Sequence, residues 1–193
     1  MTTQPVYIVD IVEAIVAKVR ANVLAKIIAN ETAVLGQSGI TTINYQYGHF
    51  RELLETLAQW DANVTLRAQK YPLVYLVTDF KEKRGRQAGV YADTNLRVIV
   101  CHQTDPTYKS TDRKAKVFAP VLYPIYLELI EQFAKSDMTM AGSADLVLHD
   151  KTDRYYWGTS TMGGNVATSL NDYVDAIEIE NLQAKFDYQP CFP

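Results

Sequence analysis

The sequence predicts an α+β fold: a mostly antiparallel sheet with helices packed on one face. Three observations carry that expectation. Apolar residues recur at steps of three or four near the N-terminus and again after position 110. Two unbroken apolar runs, Leu73–Val77 and Leu96–Cys101, have the composition of strands covered on both faces. The last third is strand-like and ends in a long candidate strand from Asp175 to Phe186. A length of 193 residues fits one domain over 1–193, with an extended loop or arm near 35–47 and a mobile loop near 159–165.

The first helix is read over Val6–Asn30, where Ile8, Val12, Ile15, Val19, Val23 and Ile27 form a stripe and Asp10, Glu13, Arg20 and Lys26 fall off it. Val9, Val16 and Leu24 widen the apolar face, so this helix should be contacted on two sides. Asn30 and the following Gly36 and Gly39 are expected to end it. Leu35–Tyr47 is rich in Gly and Thr and reads as a hairpin or an extended arm. A second helix, His49–Gln59, carries Phe50, Leu53, Leu54 and Leu57 on one side. Between the two apolar strands, Lys81–Gly89 is polar and basic and reads as an exposed loop, which makes those strands neighbours in one sheet.

A helix follows from Ser110 to Lys135, with Ser110 or Asp112 as its cap and Phe118, Leu122, Ile125, Leu129 and Phe133 as its stripe. Pro120 and Pro124 each remove a backbone donor and clash with the preceding turn, so a kink or split is expected there. Leu146–His149 and Arg154–Trp157 are short strand candidates, and Thr159–Asn165, with Gly163-Gly164, reads as the mobile loop. Within Asp175–Phe186, Ile177 and Ile179 share one face, but Leu182, Ala184 and Phe186 continue in the opposite phase. A β-bulge near Glu180-Asn181 would return them to the core side.

Composition narrows the function. A 48% hydrophobic and 21% charged chain argues against global disorder, and a formal charge of −3 gives no general reason to expect nucleic-acid binding. Two cysteines, Cys101 and Cys191, suit a reducing interior. Asp10, Glu13, Lys18 and Arg20 interrupt the most apolar segment, so no membrane span is expected, and no basic region precedes an apolar block as in a secretory signal.

The search for chemistry yields no catalytic, cofactor or metal residues. His49, His102 and His149 have no partners at metal-ligand spacing. Cys101 and His102 are adjacent on a strand and point to opposite faces, so they cannot form a nucleophile pair. Asp79 and Glu82 at a strand end resemble a nuclease metal motif, but the residue two beyond Glu82 is Arg84, which cannot act as a deprotonated activator. A solvated charged loop is the plainer reading. Charge is unevenly placed, however. Nine of the nineteen basic residues lie between positions 79 and 118, whereas Asp172, Asp175, Glu178 and Glu180 mark the C-terminal strand. Opposite patches on one subunit favour head-to-tail contacts, which close into rings when the rotation permits.

Six segments then carry a resemblance, in order along most of the chain: Asn44–His49, Tyr71–Phe80, Val90–Cys101, Phe118–Tyr126, Tyr155–Gly158 and Asn171–Phe186. Together they resemble a family of small structural proteins of tailed bacteriophages and prophages of gut bacteria. The order of elements is similar to that of tail-terminator and tail-completion proteins, which form rings at the head–tail junction. The Thr78–Gln87 loop departs from the pattern in being more basic.

The resemblance implies a non-enzymatic virion protein of the neck or tail, made in the host cytoplasm. It implies a homo-oligomeric ring, six- or twelve-fold, that contacts other neck and tail proteins and touches DNA passively in the channel. The interface residues expected on the charge argument are Lys81, Lys83, Arg84, Arg86, Glu178 and Glu180. The alternatives are a metal-dependent nuclease using Asp79 and Glu82, or an accessory binding module acting as monomer or dimer.

Overall fold

A computed structural model describes residues 7–86, 90–136, 147–157 and 173–188. The fold is α+β. Its elements in chain order are α1 (Ile8–Leu35), β1 (Asn44–Gly48), α2 (Phe50–Asp61), α3 (Val64–Ala68), β2 (Leu73–Val77), β3 (Lys83–Arg86) and β4 (Val90–Gln103). They continue with α4 (Ser110–Arg113), a π-helical segment (Lys114–Leu122), α5 (Tyr123–Ala134), β5 (Asp150–Arg154) and β6 (Val174–Tyr188). Six strands form one sheet in the order β1-β2-β4-β6-β5, with β3 also paired to β4. Among the described strands only β1 and β2 run parallel; every other pair is antiparallel.

The axis of the sheet is the β4–β6 pairing, which runs from Val90 opposite Tyr188 to Gln103 opposite Val174. Its register shifts once. Leu96 faces Leu182 and Val98 faces Ile179, so Glu180 and Asn181 together oppose Arg97. This is the bulge the sequence phase requires, and Asn181 supplies its left-handed backbone at φ 53°. The extra residue lets Ile177, Ile179, Leu182 and Ala184 all join one core.

That core lies between the sheet and two long helical elements. Ile11, Val12, Ile15, Val19, Val23 and Ile27 of α1 meet Phe118, Val121, Leu122, Ile125, Leu129 and Phe133 over Val74, Leu76, Val98 and Val100. The α1 helix follows its predicted stripe but continues past Asn30 to Leu35, and Gly36 ends it at φ 81° with its N–H on the Thr32 carbonyl. The helix from Ser110 to Ala134 is long and apolar enough to meet a membrane-span criterion by composition. Val117, Phe118, Val121, Leu122, Ile125, Leu129 and Phe133 of this helix line the core, while Leu127 is exposed.

The other face of the sheet is covered as well. Leu53 and Leu57 of α2 pack with Leu73, Tyr75, Val77, Ile99, Cys101, Val174, Ala176 and Trp157. The alternating residues of β2 thus serve two cores, and all five are buried. The long helices sit on one face as expected, while the short α2 occupies the opposite one. His49 caps α2 reciprocally: its side chain accepts from Arg51 N–H, and the Glu52 carboxylate accepts from His49 N–H at 2.8 Å.

Several local expectations are corrected. The arm expected at 35–47 ends in β1, an edge strand of the sheet, because Asn44–Gly48 can bond alongside β2. Neither Ser110 nor Asp112 caps the third helix; Lys109 stands at its N-cap without a side-chain bond. The two prolines do not split that helix, which stays helical from Ser110 to Ala134. Its hydrogen bonding widens to the π pattern, with Tyr123 N–H reaching the Phe118 carbonyl. Pro124 cannot donate to the Pro120 carbonyl, and the Asn30 side chain donates to it at 3.3 Å from α1. The short strand is Asp150–Arg154; residues 147–149 are not in a strand, and Tyr155–Trp157 turn after it. The loop expected at 159–165 lies outside the described residues.

Asn181 offers a clean test of the bulge. Asn181→Gly and Asn181→Val both lose the 2.6 Å bond from Asn181 to Asp150. Only valine forces a β-branched side chain into the left-handed region, so it should be about 1–2 kcal/mol less stable than glycine, as read from urea unfolding midpoints.

Candidate functional site: a charged surface and a polar cleft

Of the six residues expected to form an interface, the side chains of Lys81, Lys83, Glu178 and Glu180 are described. Lys81 and Lys83 are exposed, but the segment is not simply a loop. Lys83–Arg86 forms β3, a hairpin strand on β4, because its backbone finds partners at Val90–Asp93. The side chains of Arg84 and Arg86 lie outside the described ones. Of the other basic residues in that cluster, Arg113 is buried and Arg97 is half-buried against acids of its own chain.

The acidic patch on the C-terminal strand is overturned. Glu178, expected to point outward, is buried on the second face of the sheet. The expectation treated that face as solvent, whereas α2 and Trp157 cover it. The Glu178 carboxylate accepts from Trp157 Nε1 at 2.8 Å, from Arg154 Nε at 3.0 Å and from Arg97 at 3.3 Å. Burial alone would raise its pKa. The bonds from Trp157 and Arg154, with the charges of Arg97 and Arg154, outweigh burial and hold it below the ordinary carboxylate range. Glu180 is partly exposed and lies 3.2 Å from Arg97. Asp175 is also buried, so two acids of the C-terminal strand, Asp175 and Glu178, lie inside the protein.

Asp175 belongs to a network that sequence reading did not find. Its Oδ1 accepts from Arg113 Nη1 at 2.5 Å and from Tyr156 N–H at 3.0 Å. Arg113 also donates to the carbonyls of Tyr108 and Asp105 and to the Thr104 hydroxyl. Its guanidinium lies 3.7 Å from the centre of the Tyr156 ring. The partners are 62 residues apart, and no local pattern joins them. A charged residue inside the apolar strand Val174–Ile179 was the one available sign.

Beside this network is a cleft of about 440 Å³ whose walls include Glu31, Arg67, Tyr71, His102, Tyr108 and Lys116. Glu31 is buried at the end of α1 and accepts from His102 Nε2 at 3.0 Å and from the Ser38 hydroxyl at 2.5 Å. Burial would raise the Glu31 pKa, but those two bonds, the charge of His102 and the Gly39 N–H hold it low. His102 Nδ1 is enclosed and has no hydrogen-bond partner among the described residues. A carboxylate-held imidazole can move protons when its other nitrogen meets a nucleophile or substrate. Among the described residues that nitrogen bonds to no hydroxyl or thiol. Cys101 faces the second core, and burial pushes its thiol up to about 12. Asp79 is exposed and Glu82 half-buried; no group of three His, Cys, Asp or Glu gathers among the described residues.

Removing one partner of the Arg113–Asp175 pair should be severe. Asp175→Ala strands a buried guanidinium and should cost about 3–5 kcal/mol, whereas Arg113→Met with Asp175→Leu should recover much of it. Urea unfolding of the single and double variants reads this. The pH dependence has a definite sign. Glu31 and Glu178 have lowered folded pKa values, so their contribution is complete above the unfolded carboxylate range and is lost as pH falls through the folded values. Stability should therefore drop on acidification, and Glu178→Gln should lower the plateau and flatten the slope.

No protein-family model, curated protein or solved structure matches the chain.

Proposed function

We propose that the chain is a non-enzymatic structural component of a phage neck or tail, assembled as a homo-oligomeric ring at the head–tail junction. The observation that carries this reading is the resemblance in sequence. Its segments Tyr71–Phe80, Val90–Cys101 and Asn171–Phe186 include β2, most of β4 and most of β6, the strands that organise the sheet. The reading therefore rests on the part of the chain that defines the architecture.

The polar chemistry is consistent with this role. Arg97 of β4, Arg154 of β5 and Arg113 at the start of the long helix pair with Glu178 and Asp175 of β6 within the subunit, where they fix geometry. The exposed large apolar side chains include the tyrosines Tyr47, Tyr155, Tyr156 and Tyr173 beside aliphatic residues such as Leu127. Tyrosine supplies large contact area at low conformational cost, as protein interfaces require. Other neck and tail proteins would be the neighbours, DNA would pass through the ring without specific contacts, and the mature location would be the virion.

The test is sedimentation combined with electron microscopy of the purified chain, alone and with candidate neck proteins. Closed rings of six or twelve subunits are expected. A species that never exceeds a dimer under either condition overturns the reading.

A further inference from the structure

The two edges of the sheet are protected differently. At one edge β5 reads Asp150-Lys151-Thr152-Asp153-Arg154, a strand loaded with charge in the manner that discourages edge pairing. At the other, β1 reads Asn44-Tyr45-Gln46-Tyr47-Gly48, without charge or proline. Asn44 N–H bonds to the Pro72 carbonyl, and the Gly48 carbonyl accepts from Thr78, so Asn44, Gln46 and Gly48 turn inward to β2. Strand alternation then turns the N–H and C=O of Tyr45 and Tyr47 outward. Arg20 donates to the Ile43 carbonyl at 2.9 and 2.6 Å, which closes the edge just before β1, and no described residue bonds to the outward backbone groups of Tyr45 and Tyr47. Tyr47 is 53% exposed.

A second open strand lies on the same flank. Since β6 occupies one side of β4 along its whole length, β2 and β3 must both lie on the other side, one after the other. Beyond β2 stands β1, and beyond β3 stands no strand among the described residues. The flank therefore has a step one strand wide. A second copy turned by half a revolution about an axis through the sheet places its own β1 in that step, beside β3. The first copy's β1 then meets the second copy's β3. In each chain β1 and β3 run in the same direction, because β1 is parallel to β2 and both β2 and β3 are antiparallel to β4. The half-turn makes the two new contacts antiparallel, the pairing whose hydrogen bonds are the straighter.

Charge favours the same match. Asp10 and Glu13 of α1 are exposed and close enough to Tyr45 that, with burial as the larger cause, their charge helps push its hydroxyl pKa up. The strand that would meet β1 belongs to the segment Lys81–Arg86, which carries Lys81, Lys83, Arg84 and Arg86. An acidic border on one edge and a basic strand on the other suit each other, whereas two copies of β1 would bring Asp10 and Glu13 together.

We propose that this chain forms a two-fold dimer in which β1 of each copy adds to β3 of the other, with Asp10 and Glu13 facing the partner copy's basic strand. The contact is reciprocal, so each dimer contains it twice. It goes beyond the ring reading and does not rest on it.

Sedimentation velocity of the full chain and four variants tests the contact. The wild-type chain should have a dimer as its smallest associated species, weakened by added salt. Tyr47→Pro removes an outward donor that β2 does not use, so it should yield monomer with an unchanged circular dichroism spectrum. Glu13→Lys and Arg84→Glu should each weaken dimerisation roughly tenfold or more, because position 84 stands opposite Ala92, in the phase of Leu96 and Val98 that faces α1. Mixing those two proteins, or combining both changes in one chain, should restore it, a result that simple misfolding cannot produce. A wild-type chain that stays monomeric overturns the proposal. So does a dimer indifferent to Tyr47→Pro and to the charge swap. A ring that persists in Tyr47→Pro without a β1–β3 dimer overturns this contact and leaves the ring reading standing.

Discussion

Burying the guanidinium of Arg113 takes a permanent charge and five N–H groups out of water, and the surrounding chain has to meet them. Three stretches converge to do so. The turn after β4 supplies the carbonyls of Asp105 and Tyr108 and the Thr104 hydroxyl; β6 supplies Asp175; the turn after β5 supplies the Tyr156 ring. None of these can shift alone without exposing an unpaired polar group. The start of the long helix is thereby locked to the end of the β4–β6 ladder, and everything packed on that helix, including α1, inherits its position.

The same principle runs through the other face. Glu178 lies where the ladder bulges, held by Arg97, Arg154 and the Trp157 indole. Trp157 in turn meets Phe50 of α2 edge to face, with ring centres 5.4 Å apart. One buried carboxylate thus joins β4, β5, β6 and α2. On the first face the Lys151 ammonium of β5 lies over the Tyr123 and Tyr126 rings, and Tyr123 donates to Asp153. The charged edge strand is tied to the helices beneath it as well as guarded against other strands.

Much of this architecture was legible in the sequence because it follows from periodicity. The α1 stripe, the doubly covered run Leu73–Val77 and the phase change between Ile179 and Leu182 each record a local requirement of backbone geometry. What escaped was non-local. Glu178 shares the alternation of an outward residue, and only the placement of α2, more than a hundred residues earlier, makes its side the inside. Glu31 and His102 are 71 residues apart, and neither carries a mark of the other. The Gly- and Thr-rich run before Tyr45 gave no sign that the next residues would lie beside Leu73–Val77. Pro120 and Pro124 were visible as disruptions. Their remedy, a wider helical turn plus a side chain borrowed from α1, depends on a neighbour that no single segment encodes.

The position of β6 has a consequence for how the chain reaches this state. It is the last described strand in sequence, yet it stands between β4 and β5 and forms the longest ladder in the sheet. A growing polypeptide leaving the ribosome displays β4 with one side unsatisfied until some 70 residues more have been made. During that interval the apolar run Leu96–Cys101 is an adhesive template for any extended chain nearby. Synthesis rate and chaperone capture, more than final stability, would then govern how much of the protein survives to fold.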